Sequence, residues 1–238
     1  MPQRLYSGSG NNYADVDGQF FGVPWILTEF INDKLICEYQ LTEENKKTLG
    51  AEYEDVYRKI SSITSDLYGD TFTGGFVGQH TKWAEVVSQI ARLSYEDGVE
   101  LWAFGGNAQI VELAVEKALC QIEGKYSWPV LFHCDFFSAN IMGACKDKTI
   151  QITNVIDFGM SMFAPKYYSH YITWKYTDFA VTPLDISSAY GISSSELAAY
   201  DILRIEPVLL ANIFKFDGYE AFAAEFIQKC EWYVMAEV

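Results

Sequence analysis

The sequence predicts an α+β fold with a mostly helical body, on three observations. Strand-like and helix-like segments come in blocks: a few strands, several helices, a compact strand cluster, then helices again. Half of the 238 residues are hydrophobic and 16% are aromatic, which supplies a substantial core and excludes global disorder. Several segments carry apolar residues at three- and four-residue spacing, the period of an amphipathic helix.

Residues 1–19 are rich in Gly, Ser, Asn and Asp and include Ser7-Gly8-Ser9-Gly10-Asn11-Asn12, so they predict a loop or a mobile arm. Gln19-Phe20-Phe21 and residues 23–31 predict strands, the second apolar, β-branched and aromatic as a buried strand is. From Thr42 the pattern turns helical: Thr42 caps, Glu43 and Glu44 sit where the helix dipole favours acids, and Leu49, Tyr53, Val56, Tyr57, Ile60 and Ile63 recur on one side. Gly69, Gly74, Gly75 and Gly78 predict a loop over 64–79. Helices follow over 81–94 and 107–123. Val130-Leu131-Phe132, 141–144 and 150–156 predict three short strands, the last two joined by the turn Lys146-Asp147-Lys148. Beyond Pro165 the chain is helical again, with a capping box Ser193-x-x-Glu196 opening a helix towards Pro207 and a last helix over about 218–235.

Charge and cysteine content narrow the function classes. With 17 basic and 32 acidic side chains the formal charge is −15, which repels phosphate backbones and argues against nucleic-acid binding, while tolerating cationic small molecules. Five cysteines without a C-x-x-C pair predict free thiols in a reducing compartment, not a disulfide framework or zinc site. No apolar run is long enough to span a membrane, and the N-terminus lacks the apolar core of a signal peptide, so a cytoplasmic location is expected.

The chemistry concentrates in Phe132-His133-Cys134-Asp135-Phe136-Phe137-Ser138-Ala139-Asn140-Ile141. A buried strand ends directly in His133, Asp135 and Asn140, and a second apolar strand delivers Asp157, followed by Phe158-Gly159. A carboxylate after a strand can accept a proton from a substrate hydroxyl. An amide oxygen and a second carboxylate suit Mg²⁺, which takes oxygen ligands and keeps its waters and substrate phosphates. Together these are the parts for moving a phosphoryl group onto a hydroxyl. Turn chemistry is the structural alternative for Asp135 and Asn140, and a hydrogen-bonded core position for His133. His80 and His170 are isolated, and Tyr167, Tyr168, Tyr171, Trp174 and Tyr176 read first as the core stripe of a helix and second as the wall of a ligand pocket.

His133-x-Asp135-x4-Asn140 with Ile156-Asp157-Phe158-Gly159 resembles the motif of the aminoglycoside phosphotransferases and choline kinases, which share the protein-kinase fold. The resemblance implies Asp135 as catalytic base, Asn140 and Asp157 as ligands of the metal and of the ATP it carries, and His133 as support of the loop backbone; Asp135 and His133 are the catalytic candidates. It implies a kinase-like C-terminal helical lobe over residues 23–238 with a small β cluster carrying the catalytic loop. Residues 1–22 would be an N-terminal arm or a remnant of a truncated nucleotide lobe, since they contain no lysine and Arg4 is their sole basic residue. The family usually has Gly where Cys134 stands, and an acidic residue in the stretch matching Ala164–His170, where this chain has none.

Three functions are compatible with these residues. The first is an Mg- and ATP-dependent small-molecule phosphotransferase, its acceptor perhaps cationic. The second is a kinase-fold enzyme repurposed for ATP-independent metabolite chemistry, such as a biosynthetic cyclase or isomerase, with Asp135 and His133 as acid or base. The third is a non-catalytic pseudokinase binding module, with a homodimer or partner covering the apolar hinge-side strand at Trp25, Ile26 and Leu27.

Overall fold

The structure is a computed structural model; it describes residues 31–71, 78–122, 127–215 and 217–236, and the backbone of 3–7, 10–15 and 25–27. The fold is α+β, and its described strands form three small antiparallel sheets. The first joins β1 (Gln3–Ser7), β2 (Gly10–Asp15) and β3 (Trp25–Leu27) in that order. The second has the order β4 (Lys34–Leu35), β7 (Ile141–Lys146), β8 (Thr149–Val155). The third has the order β5 (Gly69–Asp70), β9 (Met162–Pro165), β6 (Pro129–Phe132).

The first sheet corrects the expectation of a loop or arm at Gln3–Ser7 and Gly10–Asp15, and the rest of 1–19 lies outside the described residues. Ser7 pairs with Gly10 and Gln3 with Ala14, so two residues separate two hairpin strands. The Gly- and Asn-rich composition hid them because a hairpin ladder is made by the backbone, and a two-residue connection itself favours such residues. The strand expected at 19–21 lies outside the described residues, and that expected over 23–31 is described only at β3. β3 has its hinge-side residues paired on one edge, Tyr13 opposite Leu27 and Asp15 opposite Trp25. A second small difference is β5, a two-residue strand inside the expected 64–79 loop.

The helices follow the sequence closely. In α1 (Glu43–Ile60) the Thr42 hydroxyl accepts from the Asn45 N–H at 3.2 Å. Arg58 and Lys59 close the helix, where cations oppose the dipole favourably. α2 (Trp83–Glu100) runs past the expected end at 94, and α3 (Ala108–Gln121) matches its prediction. α4 (Lys166–Tyr176) and the short α5 (Ile186–Tyr190) precede α6 (Ser194–Leu203), whose Ser193 cap accepts from the Glu196 N–H at 3.1 Å. α6 stops at Leu203 instead of running to Pro207. Pro207 instead lies in the first turn of α7 (Glu206–Phe214), where a missing N–H leaves no helical bond unmade. α8 (Tyr219–Met235) ends the described chain almost as predicted.

Two cores flank the site. The larger packs α2, α3, α6, α7 and α8 around Val111, Ala114, Ala118, Ala199, Tyr200 and Cys230, all fully buried. The smaller packs α1 against β7 and β8 through Leu49, Tyr53, Ile141 and Ile150. Burying each such aliphatic side chain is worth about 1.5–3 kcal/mol. Gly50 of α1 is required by close approach: a Cβ there would stand 2.0 Å from the Ala180 carbonyl oxygen. Phe132 belongs to the larger core, Phe136 and Ile141 to the smaller, so the segment between them bridges the two.

Candidate active site

All four residues of β6 are buried, and the strand ends in His133, 2% exposed. Its Nε2–H donates to the Ile156 carbonyl at 2.8 Å, and its Nδ1 accepts from the Asp135 N–H at 3.3 Å. Only the neutral ring with its proton on Nε2 satisfies both bonds. Burial also lowers its pKa, favouring the neutral form. His133 thus ties the loop after β6 to the end of β8, and Phe158 packs on its ring at 4.5 Å between centroids.

Cys134 takes φ 68°, a left-handed conformation that explains why glycine suits this position. The turn it makes presents Asp135, partly exposed, beyond the strand end. Asn140 closes the loop from the other side. Its Nδ2 donates to the Asp135 carbonyl at 2.9 Å and to Asp135 Oδ2 at 2.8 Å. Its Oδ1 and Asp135 Oδ1 take no hydrogen bond among the described residues.

The β7–β8 hairpin delivers the second carboxylate. Its two-residue turn, Asp147 at φ 51° and Lys148 at φ 69°, has the positive φ pair of a tight hairpin turn, and Ile141 stands opposite Val155. The Ile156 N–H then donates to the Asn140 carbonyl at 3.0 Å. Asn140 and Asp157 therefore leave the same end of one hairpin. Asp157 is exposed and left-handed (φ 59°, ψ 58°), with Oδ1 accepting from the Gly159 N–H at 3.4 Å. Among the described residues no three His, Cys, Asp or Glu side chains cluster as a metal cage. The donor set is one amide oxygen and one carboxylate, which fits a Mg²⁺ that keeps waters and phosphate oxygens.

Residues that the sequence did not single out for the site fix this loop. The Tyr53 hydroxyl donates to the Phe136 carbonyl at 2.7 Å, and its ring stacks on Phe136 at 4.3 Å and Phe179 at 4.6 Å. Asp178 accepts from the Ser138 N–H at 3.1 Å and from the Ser138 hydroxyl. Asp178 thereby anchors the loop, while Ala164 and Pro165, where a family acid was expected, pair with β6 as plain strand. Tyr53 was legible only as a core residue; no motif marks Asp178, 40 residues downstream of Ser138.

The tyrosine stripe of α4 divides. Tyr167 is 2% exposed, as a core residue, whereas Tyr176 is 50% exposed with the Arg204 guanidinium 4.2 Å above its ring. His170 is held by Tyr190 through Nδ1 at 2.8 Å, and burial lowers its pKa to about 4. His80 stands 3.7 Å from the Glu85 carboxylate, on the surface side.

No family model matches the sequence, and neither does any curated protein. Solved structures do match. The aminoglycoside phosphotransferase APH(4)-Ia is 19% identical with a TM-score of 0.59, over 100% of this chain and 94% of that one. A thermostable mutant of it, a ternary complex with AMP-PNP and hygromycin B, is 19% identical with a TM-score of 0.59, over 98% and 93%. A putative fructosamine-3-kinase from Thermobifida fusca YX-ER1 is 13% identical with a TM-score of 0.53, over 97% and 93%. Among the described residues no helix is long and apolar enough to cross a membrane. The chain has the kinase-like fold of the aminoglycoside phosphotransferases.

Proposed function

We propose that the protein transfers the γ-phosphoryl group of ATP to a hydroxyl of a small molecule. The observation that carries this reading is the juxtaposition of Asp135, Asn140 and Asp157 by the strand end and the hairpin register. Asp135, with Oδ1 free of protein partners, accepts the acceptor's proton as its oxygen attacks phosphorus. Asn140 holds Asp135 in place through Nδ2, which leaves its amide oxygen without a partner among the described residues as the proposed metal ligand. Asp157 supplies the carboxylate there. A bound Mg²⁺ would supply charge neutralisation of the phosphates. His133, with both ring nitrogens committed to the backbone, is a positioning residue and moves no proton.

The N-terminal sheet supports a nucleotide-side role for residues 1–22. Ser7 and Gly10 face each other across the tip of a hairpin, where kinases place a Gly-rich loop over the phosphates. The neighbour that carries AMP-PNP with hygromycin B supports nucleotide and small-molecule use in this fold. A cytoplasmic location fits the free cysteines. The test is the melting temperature with Mg-ATP. Binding to the folded chain alone raises it, by about 2.7 kcal/mol of stability at a hundredfold excess over Kd. No shift with Mg-ATP, together with no ADP formed with any hydroxyl acceptor, defeats the proposal in favour of ATP-independent chemistry or a binding module.

A further inference from the structure

Helix α7 is apolar on both of its sides. Val208, Leu209 and Ala211 are buried on the inner side. Leu210, Ile213 and Phe214 recur at three- and four-residue spacing on the opposite side and are exposed, Ile213 at 52% and Phe214 at 63%. A surface helix normally turns polar residues outward, and one that is apolar all round is normally buried. From Pro207 to Phe214 the single polar side chain is Asn212, and the fold uses it. Its Nδ2 donates to the Leu101 carbonyl at 3.1 Å, and its Oδ1 accepts from Lys215 at 2.7 Å. The first of these bonds joins the end of α2 to α7. Gly98 of α2 lets the two approach, since a Cβ there would stand 3.2 Å from Leu209 Cδ2.

The end of α2 extends the apolar face. The Trp102 N–H donates to the Val99 carbonyl at 3.1 Å and the Ala103 N–H to the Gly98 carbonyl at 2.8 Å. This pair of bonds closes a helix when the residue just past its C-cap is left-handed, a position where glycine is strongly preferred. Here the position holds Trp102, at φ 55°. A bulky side chain is strained in that conformation. Burial does not offset the strain, because Trp102 is 73% exposed, with Leu101 exposed beside it. Single exposed apolar side chains are ordinary. Five on adjoining helix ends, one of them held where glycine belongs, call for a cover.

We propose that this face is the interface of a homodimer, with a second copy of the chain seated by two-fold symmetry on Leu101, Trp102, Leu210, Ile213 and Phe214. It is a different surface from the β3 edge expected from the sequence, and it is independent of the phosphotransferase reading. Area and charge select a second copy. At about 150–250 Å² for a large side chain, the exposed fractions leave roughly 500 Å² of apolar surface, and a polar rim brings this near the ~800 Å² per partner of a stable interface. With a formal charge of −15, two copies repel each other over most surfaces. This face carries no charge from Pro207 to Phe214, and its margins carry one of each sign: Glu100 directly before Leu101, and Lys215 directly after Phe214. Neither is in an ion pair among the described residues. A two-fold contact is self-complementary, so Glu100 meets the partner's Lys215 at both edges.

The test is sedimentation velocity on the full chain from about 1 to 100 μM. The expected species at the upper end has twice the 27.0 kDa of the chain. Trp102→Gly and Ile213→Asp should each weaken the dimer by about thirtyfold or more, the size of one central interface residue. Trp102→Gly also separates association from folding. Glycine fits the helix end, so at a dilution where the parent is monomeric this variant should melt at or above the parent's temperature. Circular dichroism checks that Ile213→Asp stays folded. Glu100→Lys and Lys215→Glu should each weaken the dimer, and the double variant should restore it. A parent that is monomeric across the range overturns the proposal, including one that binds anionic vesicles through Trp102, which would make the face a lipid contact. A dimer that survives both Trp102→Gly and Ile213→Asp overturns it as well, since the copies then meet elsewhere.

Discussion

Two regions of the protein treat their polar groups differently. On the loop and hairpin side, most polar groups are bound into the fold: His133 to the Ile156 carbonyl and the Asp135 amide, Asn140 to Asp135, Ser138 to Asp178, Tyr53 to Phe136. On the α6–α7 side, Arg204 and Glu206 stay unpaired among the described residues. The difference teaches what each surface is for. The proposed phosphoryl transfer depends on placement and electrostatics more than on covalent chemistry, and the tied-down loop fits that requirement. Arg204 instead lies over the Tyr176 ring, and Glu206 sits in the first turn of α7.

The largest expected effect comes from breaking the tied side at its reactive end. Asp135→Asn keeps the shape and one acceptor oxygen but loses the carboxylate proposed as the base. We expect turnover to fall by about 10²–10⁴-fold, with the melting temperature within a degree or two of the parent. Steady-state ADP release alongside calorimetric unfolding checks this. Turnover within threefold of the parent removes Asp135 from the reaction.

Next comes the anchor. Asp178→Ala deletes two charge-assisted bonds to Ser138, each worth about 1.5–3 kcal/mol. Part of that loss is recovered because the exposed edge of the loop can hydrate. Chemical denaturation should show about 2 kcal/mol lost, and turnover should drop about tenfold through misplacement of Asn140, with the KM for ATP changing more than in Asp135→Asn. If stability falls and turnover holds, Asp178 is a folding residue only.

Much of the tied side was legible before the fold was known, and little of the free side was. α1 and α6 announce themselves through caps, and α1 and α3 through a 3.6-residue apolar period, because both signals are local. The loop residues His133, Asp135, Asn140 and Asp157 were legible because two strands end in polar residues close along the chain. Asp178 was not, since its partner is 40 residues away and a lone aspartate before an aromatic carries no period. β1 and β2 were missed because their Ser-, Asn- and Gly-rich residues lack apolar alternation while their pairing is a backbone property. Arg204 and Glu206 sit at the α6–α7 junction, where no motif marks them.

Acidification should sharpen the comparison, because the titrations work in opposite senses. His133 and His170 have folded pKa values lowered by burial, His170 to about 4. Above the unfolded value of about 6.5 their contribution is fully present, and as pH falls from there towards the folded values the unfolded chain binds more protons and stability drops. Glu206 is raised by burial from 4.5, so its folded form binds the extra proton and stability rises as pH falls through its folded pKa towards 4.5. The His170 shift alone predicts a melting temperature that declines as pH falls below about 6.5. His170→Asn should flatten that decline. A decline unchanged in His170→Asn would show that the ring is not buried as described.

The smallest effect tests whether the tied side is redundantly tied. Tyr53→Phe removes one hydroxyl and leaves the Phe136 carbonyl without that donor, but it keeps the rings stacked on Phe136 and Phe179. Loss of one buried neutral bond costs about 1 kcal/mol. Because the stacking persists and Asp178 still holds Ser138, the loop keeps its path, and turnover should change by less than threefold. Combined with Asp178→Ala, the two losses should exceed their sum, since each anchor limits the excursion that the other's removal allows. A coupling energy near zero would mean that the two anchors restrain separate motions. The loop would then be two independently held turns, one at Phe136 and one at Ser138.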